Sequence, residues 1–439
     1  MLSQRAARLD AVRRASAKAR HPNAATFINP KVGASCDPVD SWYRYYAGYS
    51  AGFVEHALED SAAAASVVLD PWNGTGTTTV VAASKKIPAV GFDVNPALVV
   101  VSRARLLGTG VWASIDPLAE DVVAHATSAD SADDPLQFWF TLRAASSIRG
   151  LQQSVHRLLV DSGTASRPAY EGAERMSTLA AFFYTVLFRT VRVLIAPAAG
   201  TNPTWWKRVA ESDRLEPSHE EILAQFRSSA TELAKGLHRD YYDGGVDVRV
   251  GLGDSRTLPL EDDSVDAVIS SPPYCTRIDY GIATRPELAV LGAREEDIKR
   301  LRNRMVGTPT MTGDHGSHEH WGAIANSFLA DVRAHRSHAS GGYYAKYFLQ
   351  YYAGMWSSLS ELRRVMRAGA PAVLVVQDNY YKDLHNDTPS ILGEMATAIG
   401  FDSADRHDFP VIRNRASMNP RTRQYRTDAS AVESILVIR

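Results

Sequence analysis

Apolar and polar positions alternate along the chain in two distinct regimes. From Ala65 onward, short apolar runs are followed by helix-length amphipathic ones. "SVVLD" (66–70) has strand length and is followed by a Gly/Thr-rich turn and a helix through "TTVVAASKK". "IPAVGFD" (87–93) predicts a second strand and "NPALVVVSRARLL" (95–107) a second helix. Strand–helix–strand–helix order predicts a parallel sheet with helices on its faces. The alternation stops at the polar stretch "ATSADSADDP" (126–135), and 136–240 reads as several helices without a strand. It resumes at "VDVRVGLGD" (246–254) and "DSVDAVISS" (263–271). A helix over 344–367, the strand "PAVLVVQD" (371–378), a helix over 388–399 and a closing strand pair near 405–412 and 432–438 complete it. The pattern predicts an α/β fold, one domain split by a helical insertion, with a second, irregular excursion over about 285–342.

One strand ends unusually. The run "VDAVI" leaves through "ISSPPYCTRIDY" (269–280). Pro272 and Pro273 have no amide hydrogen and fix φ, so strand pairing must stop there. The result is a stiff corner that fixes the direction of its carbonyls and of the next side chain, Tyr274.

Composition narrows the class without deciding it. At 439 residues, 45% hydrophobic and 22% charged, the chain has ordinary globular values. A net charge of −1 gives no global basic field, so any nucleic-acid contact must come from local patches. Two cysteines, Cys36 and Cys275, are too few for a disulfide framework or a cysteine zinc site. The basic N-terminus lacks a signal-peptide core, and the longest apolar run, "LAAFFYTVLF" (179–188), is too short to span a bilayer. These features predict a soluble, cytoplasmic chain.

Three polar clusters sit at predicted strand ends. In "LDPWNGTGTTT" (69–79), Gly74 and Gly76 allow a tight turn and close approach to a ligand at a helix N-terminus. The spacing is neither the three-glycine dinucleotide fingerprint nor a phosphate loop. Asp93 ends the next strand, where a carboxylate can take both hydroxyls of a ribose; capping the following helix is the plainer role. Asp254 ends a third strand and is placed to accept from an amino group such as adenine's, or to serve as a turn aspartate.

"DPWNGTGTTT", "GFDVNP", "GDSRTLP" and "SPPY", in that order, resemble the S-adenosylmethionine-dependent amino-methyltransferases that modify exocyclic amines of DNA bases. The resemblance covers about 65–110 and 246–439, with a weaker match at 42–59. It implies a Rossmann-like class I methyltransferase sheet, mostly parallel with an antiparallel last strand. It also implies S-adenosylmethionine as cofactor, held by Asp70, Pro71, Gly74, Gly76, Thr77, Asp93, Asn95, Asp254 and Ser255. Ser271, Pro272, Pro273 and Tyr274 would form the catalytic corner, with no metal. In that family serine in the first position goes mostly with cytosine N4 as target, whereas Asp or Asn goes mostly with adenine N6. The substrate implied is double-stranded DNA, with a cognate nuclease or a defence-complex subunit as a further partner. The corresponding organisation is a basic arm (1–40), a cofactor half (41–110), the insertion as target-recognition region (111–243) and a catalytic half (244–439).

Weaker signals surround this core. Arg189, Arg192, Trp205, Trp206, Lys207 and Arg208, in and after an apolar helix of the insertion, and Arg277 beyond the corner are candidate DNA contacts. The two tryptophans equally suit packing of the insertion onto the sheet. "KRLRNR" (299–304) and "RNRASMNPRTRQYR" (413–426) are basic clusters that suit phosphates or solvent. The histidines of "GDHGSHEHW" (313–321) have no supporting ligand cluster, and the tyrosines of 342–352 recur at helical spacing as a packed stripe. Cys275 lacks the Pro-Cys dipeptide of C5-cytosine chemistry. The large insertion falls before the third motif rather than between it and the fourth, which departs from the usual permutations. An adenine-N6 or RNA amino-methyltransferase, and an idle cofactor-binding subunit of a defence complex, are the competing readings.

Overall fold

The computed structural model describes residues 27–31, 42–43, 48–129, 133–165, 167–200, 205–238, 244–276, 278–311, 313, 315–410 and 431–439. The N-terminal basic arm apart from 27–31, Arg277 and the basic run 413–426 therefore lie outside the described residues.

The strands are β1 (Val68–Asp70), β2 (Ala89–Asp93), β3 (Val248–Leu252), β4 (Ala267–Ser270), β5 (Ala372–Gln377), β6 (Asn379–Tyr381), β7 (Leu384–Asn386), β8 (Ala404–Pro410) and β9 (Val432–Ile438). Seven of them form one sheet in the order β3-β2-β1-β4-β5-β9-β8. β1 to β5 run parallel, and β9 is antiparallel to both of its neighbours. The sequence pattern predicts the parallel part of this sheet, and the resemblance implies its Rossmann-like arrangement with an antiparallel last strand; both are observed. β1 and β4 are buried at every position, which is why they read as continuous apolar runs. The edge strand β8, "ADRHDFP", carries charges and ends on a proline, both of which discourage further pairing.

Successive side chains of a strand face opposite layers. Val68, Ala89, Ala267 and Val373 pack against Phe53, Val54 and Ala57 of α1 (Ala51–Asp60) and Val81 of α2 (Thr77–Ser84). Leu69, Val268 and Leu374 face the other layer, in which a helix rich in tyrosine, Ala345–Val365, buries Tyr347, Tyr351 and Tyr352. Thr388–Ile399 packs beside it.

The insertion is helical. α3 (Pro96–Ala104) offers Ala97, Val100, Val101 and Ala104 to a core shared with α4 (Trp112–Ala124), α5 (Leu142–Leu159), α6 (Thr178–Leu194) and α7 (His219–Ala234). The same core takes in Leu288 and Val290 of α8 (Arg285–Val290) and Ile298 and Leu301 of α9 (Glu295–Arg304). The stretch expected to be irregular, 285–342, is thus largely ordered as α8, α9 and α10 (Ala323–Ala334). In α9 only Ile298 and Leu301 are buried, too thin an apolar stripe to stand out from a run of charges. The β6–β7 hairpin was equally invisible, each strand being three residues long. Among the described residues no single helix is long and apolar enough to cross a membrane.

Candidate active site

The chain leaves β1 toward β2 and β3 on one side and returns to β4 on the other, so the sheet's switch point lies between β1 and β4. Ligands of open α/β sheets bind in the crevice outside the carboxyl ends of the strands at such a point. Asp70 closes β1 and Ser270 closes β4; the Ser270 hydroxyl donates to Asp70 Oδ1 at 2.5 Å. The Trp72 amide also donates to Oδ1, at 3.1 Å, and the Tyr49 hydroxyl donates to Oδ2 at 3.0 Å. Burial pushes the Asp70 carboxyl up to about 6, against the opposing effect of these hydrogen bonds. Asp70 thus ties the two central strands to the segment before α1. It lies beneath the crevice, not in its wall.

The glycine turn follows directly. Gly74 and Gly76 have φ of 50° and 85°, and a Cβ on Gly76 would fall 2.6 Å from Ser102 Cβ on α3. Only glycine meets both requirements at position 76. Thr77 opens α2 half-buried, near the Arg105 guanidinium.

Asp93 ends β2 in the wall of the crevice. Its Oδ2 accepts from the Gly74 amide at 3.0 Å and its Oδ1 from the Asn95 amide at 2.8 Å. Burial raises its pKa to about 6, with a smaller push from the Asp70 charge. Each carboxylate oxygen can accept about two hydrogen bonds, so one site on each remains open. The helix cap belongs to Asn95 instead: its Oδ1 accepts from the Ala97 amide at 3.1 Å while its Nδ2 donates to Thr284 Oγ1 at 2.7 Å. Asn95 is fully buried and holds α3 to the helices beyond the proline corner.

Asp254 and Ser255, beyond β3, reach the same wall. Arg256 grips Asp254 through Nε to Oδ1 at 2.9 Å and Nη2 to Oδ2 at 2.7 Å, and its amide also donates to Oδ1. Burial would raise the Asp254 carboxyl, but the Arg256 hydrogen bonds and charge outweigh it and hold it below the usual range. One acceptor site on Oδ2 is left. The Ser255 hydroxyl meets that of Ser358 at 2.9 Å.

The proline corner is fastened at successive residues to different elements. The Ser271 hydroxyl donates to the Val375 carbonyl at 2.9 Å, which commits its proton and leaves its oxygen as an acceptor. The Tyr351 hydroxyl donates to the Pro273 carbonyl at 3.0 Å. The Tyr274 hydroxyl donates to Glu433 Oε1 on β9 at 2.5 Å, and Asn379 Nδ2 donates to the Cys275 carbonyl. Burial and the Glu433 charge push the Tyr274 phenol well above its ordinary value. Lys31 stands over the Tyr274 ring, 5.7 Å from its centroid and 3.6 Å from Glu433 Oε1. Among the described residues no group donates to the Pro272 carbonyl. Cys275 is buried.

Of the predicted site residues, Pro71, Asp93, Asp254, Ser255 and Ser271 to Tyr274 line one cleft of about 660 Å³, its open mouth included, whereas Asp70, Gly74, Gly76, Thr77 and Asn95 stand behind its wall. Its walls are Pro71, Trp72, Asp93, Val94 and Leu98 on one side, Gly253 to Ser255 at one end, and Ser271 to Tyr274 with Tyr280 opposite. Arg304, the last residue of the basic run 299–304, forms a further wall with Met305 and Val306, which sequence reasoning missed. Glu433 was missed as well; it lies 159 residues from the tyrosine it holds, with no local motif around it.

The DNA-contact candidates of the insertion separate. Arg192 is ion-paired with the fully buried Glu287, and its Nη2 donates to Tyr43 Oη at 3.0 Å. Its guanidinium lies 5.0 Å over the ring of Trp206, which is 9% exposed and belongs to the insertion core. Arg192 and Trp206 are thus engaged in packing, which for Trp206 is the second of the two roles its sequence context suits equally. Trp205 is 42% exposed, Lys207 and Arg208 are exposed, and Arg189 is half-buried. In the histidine-rich loop, Trp321 is buried with the His318 ring 5.4 Å away. Among the described residues no cluster of His, Cys, Asp and Glu is arranged to hold a metal ion.

The chain is similar to Type II methyltransferases. It is 25% identical over 221 residues to Type II methyltransferase M.AvaI of Nostoc sp. and to its namesake from Anabaena variabilis, over 45% of this chain and 46% of each relative. It is 22% identical over 290 residues to Type II methyltransferase M.BsoBI of Geobacillus stearothermophilus, over 61% of this chain and 55% of that relative. The chain spans about half the length of the relatives it matches. No protein-family model and no solved structure matches it.

Proposed function

We propose that this chain transfers a methyl group from S-adenosylmethionine to the exocyclic N4 amine of a cytosine in double-stranded DNA, as the modifying enzyme of a restriction-modification system. The observation that carries the reading is the convergence of Pro71 and Trp72 after the first strand, the acid-tipped second strand and the serine-proline-proline-tyrosine corner on a single cleft. The similarity to Type II methyltransferases supports it.

The residues fit the cofactor. Asp93 has one open acceptor site on each oxygen, which suits two ribose hydroxyls, and Asp254 Oδ2 keeps one for an adenine amino group. Pro71, Trp72, Val94 and Leu98 supply an apolar wall for the flat base and ribose. S-adenosylmethionine bound there would supply an electrophilic methyl group on its sulfonium.

The corner then acts on the target base. Cytosine N4 is a weak nucleophile because its lone pair is delocalised into the ring, so the amine must be held in line with the methyl group. That requires the base to leave the duplex stack. Ser271 Oγ and the Pro272 carbonyl would accept the amine's two hydrogens, which favours the pyramidal nitrogen that attacks. Both acceptors are fixed before the base arrives, so little reorganisation is needed in the transition state. Tyr274, in the wall of the cleft, would stack on the ring, worth about 1–3 kcal/mol. No strong base is required, because the N4 proton becomes acidic once the methyl group is attached.

The test is methyl transfer from isotope-labelled S-adenosylmethionine to duplex DNA, single-stranded RNA and no acceptor. Label in the duplex that disappears in Ser271→Ala, with cofactor binding retained, supports the reading. Label in RNA alone, or in none of them, rejects it.

A further inference from the structure

α9 carries an exposed face that the cleft does not explain. Ile298 and Leu301 are buried, while Glu296, Lys299, Arg300, Asn303 and Arg304 are exposed and recur at helical spacing along the opposite side. Two other charges of the helix are paired: the exposed Glu295 accepts from Arg285 Nη2 at 2.6 Å, and the half-buried Arg302 donates from Nε to Asp279 Oδ2 at 2.8 Å. On the exposed face Arg300 shares Asp297, one turn back, whereas Lys299 and Arg304 make no ion pair among the described residues. The face is therefore cationic at its C-terminal end.

That end is the end at the cleft. Arg304 lines it together with Met305 and Val306. The chain then passes through Gly307 at φ 77°, where an added Cβ would lie 3.5 Å from both Pro273 Cβ and the Tyr274 carbonyl. The Arg304 carbonyl is held by Arg256 Nη2 at 2.9 Å, the same arginine that grips Asp254. The basic stripe is thus continuous with the wall facing the proline corner.

We infer that the exposed face of α9 is the surface along which the phosphate backbone of the substrate duplex runs into the cleft, with Lys299, Arg300 and Arg304 as its phosphate contacts. This rests on the DNA methyltransferase reading above. With the Arg300–Asp297 pair set aside, Lys299 and Arg304 face the one unpaired acid, Glu296, which leaves a net positive charge that suits a polyanion. The other account of cations near the end of a helix is that they complement its dipole. That account predicts a change in stability and none in the salt dependence of binding.

The experiment compares wild type, the Lys299→Gln/Arg300→Gln double variant and Glu296→Gln for binding of a short mixed-sequence duplex over a salt series. Cofactor affinity and thermal midpoint are followed alongside. The double variant should bind roughly ten- to a hundredfold more weakly near 0.1 M salt, with the slope of log K against log[salt] reduced by about 1 to 2. Its cofactor affinity should be unchanged, and Glu296→Gln should bind more tightly. If wild type binds duplex and the double variant keeps both affinity and slope, this inference falls and the methyltransferase reading stands. A lowered midpoint with an unchanged slope overturns it equally. If wild type binds no duplex, both fall.

Discussion

Glu433 receives the hydroxyl proton of Tyr274 at 2.5 Å, with both side chains buried. β9 thereby fixes the ring that the proposed mechanism uses to stack on the target base. Lys31 stands over that ring. Glu433→Ala should release the ring and lower the methylation rate, while cofactor affinity, which the proposed function assigns to β1 to β3, stays constant. Glu433→Gln keeps an acceptor for the phenol and should restore much of the rate. An equal loss in both variants would show that Glu433 acts otherwise than by holding Tyr274.

Tyr274→Ala removes the stacking surface itself. The rate should fall roughly ten- to a hundredfold if about 1–3 kcal/mol of transition-state interaction is lost. A duplex with the target base already mispaired should recover part of it, because an unpaired base costs less to extrude. Single-turnover rates on paired and mispaired substrates measure the recovery; none at all would remove Tyr274 from base binding.

Trp206→Ala should destabilise the protein by about 3–5 kcal/mol, since it empties a core position and uncovers the Arg192–Glu287 pair. Trp205→Ala, at an exposed site, should leave stability nearly unchanged. Denaturant unfolding separates the two. Equal, small effects would mean that Trp206 is not part of the core.

The pH dependence of stability has a definite sign. Asp70 and Asp93 have folded pKa values of about 6, above the ordinary carboxylate value of 3.8. Their contribution is fully present below the unfolded pKa and is lost as pH rises through the folded one. Stability should therefore fall between about pH 4 and pH 6, and Asp70→Asn should flatten part of that slope. Urea midpoints across this range provide the check; an Asp70→Asn profile parallel to wild type would contradict the raised pKa.

The central strands were legible because β1 and β4 are buried on both faces and read as unbroken apolar runs, each followed by residues with special backbone needs: Gly74 and Gly76 after β1, Pro272 and Pro273 after β4. Asp93 was legible as the last residue of a strand one unit further on. Less could be read where the determinant is tertiary. Asp70 has the motif position of a ligand-binding acid, but its acceptor sites are largely occupied by Ser270, Tyr49 and the Trp72 amide. Asn95 has a cofactor-side motif position and instead caps α3 and bonds Thr284. Arg192 and Trp206 have a composition suited to nucleic acid, yet Glu287 and Tyr43, distant in sequence, draw them inward. α9 carries two buried apolar residues, so its helix was hidden in what reads as a charge cluster.

The central claim is the identity of the methylated base, and it is tested most directly by nucleoside mass spectrometry of DNA from cells that express the protein, beside DNA from cells that express Ser271→Ala. The proposed chemistry predicts N4-methylcytosine with the wild-type chain and none with the variant. N6-methyladenine as the sole product would contradict the assignment of cytosine from Ser271 while leaving the cleft and its cofactor in place. Absence of any methylated base would contradict the methyltransferase reading itself.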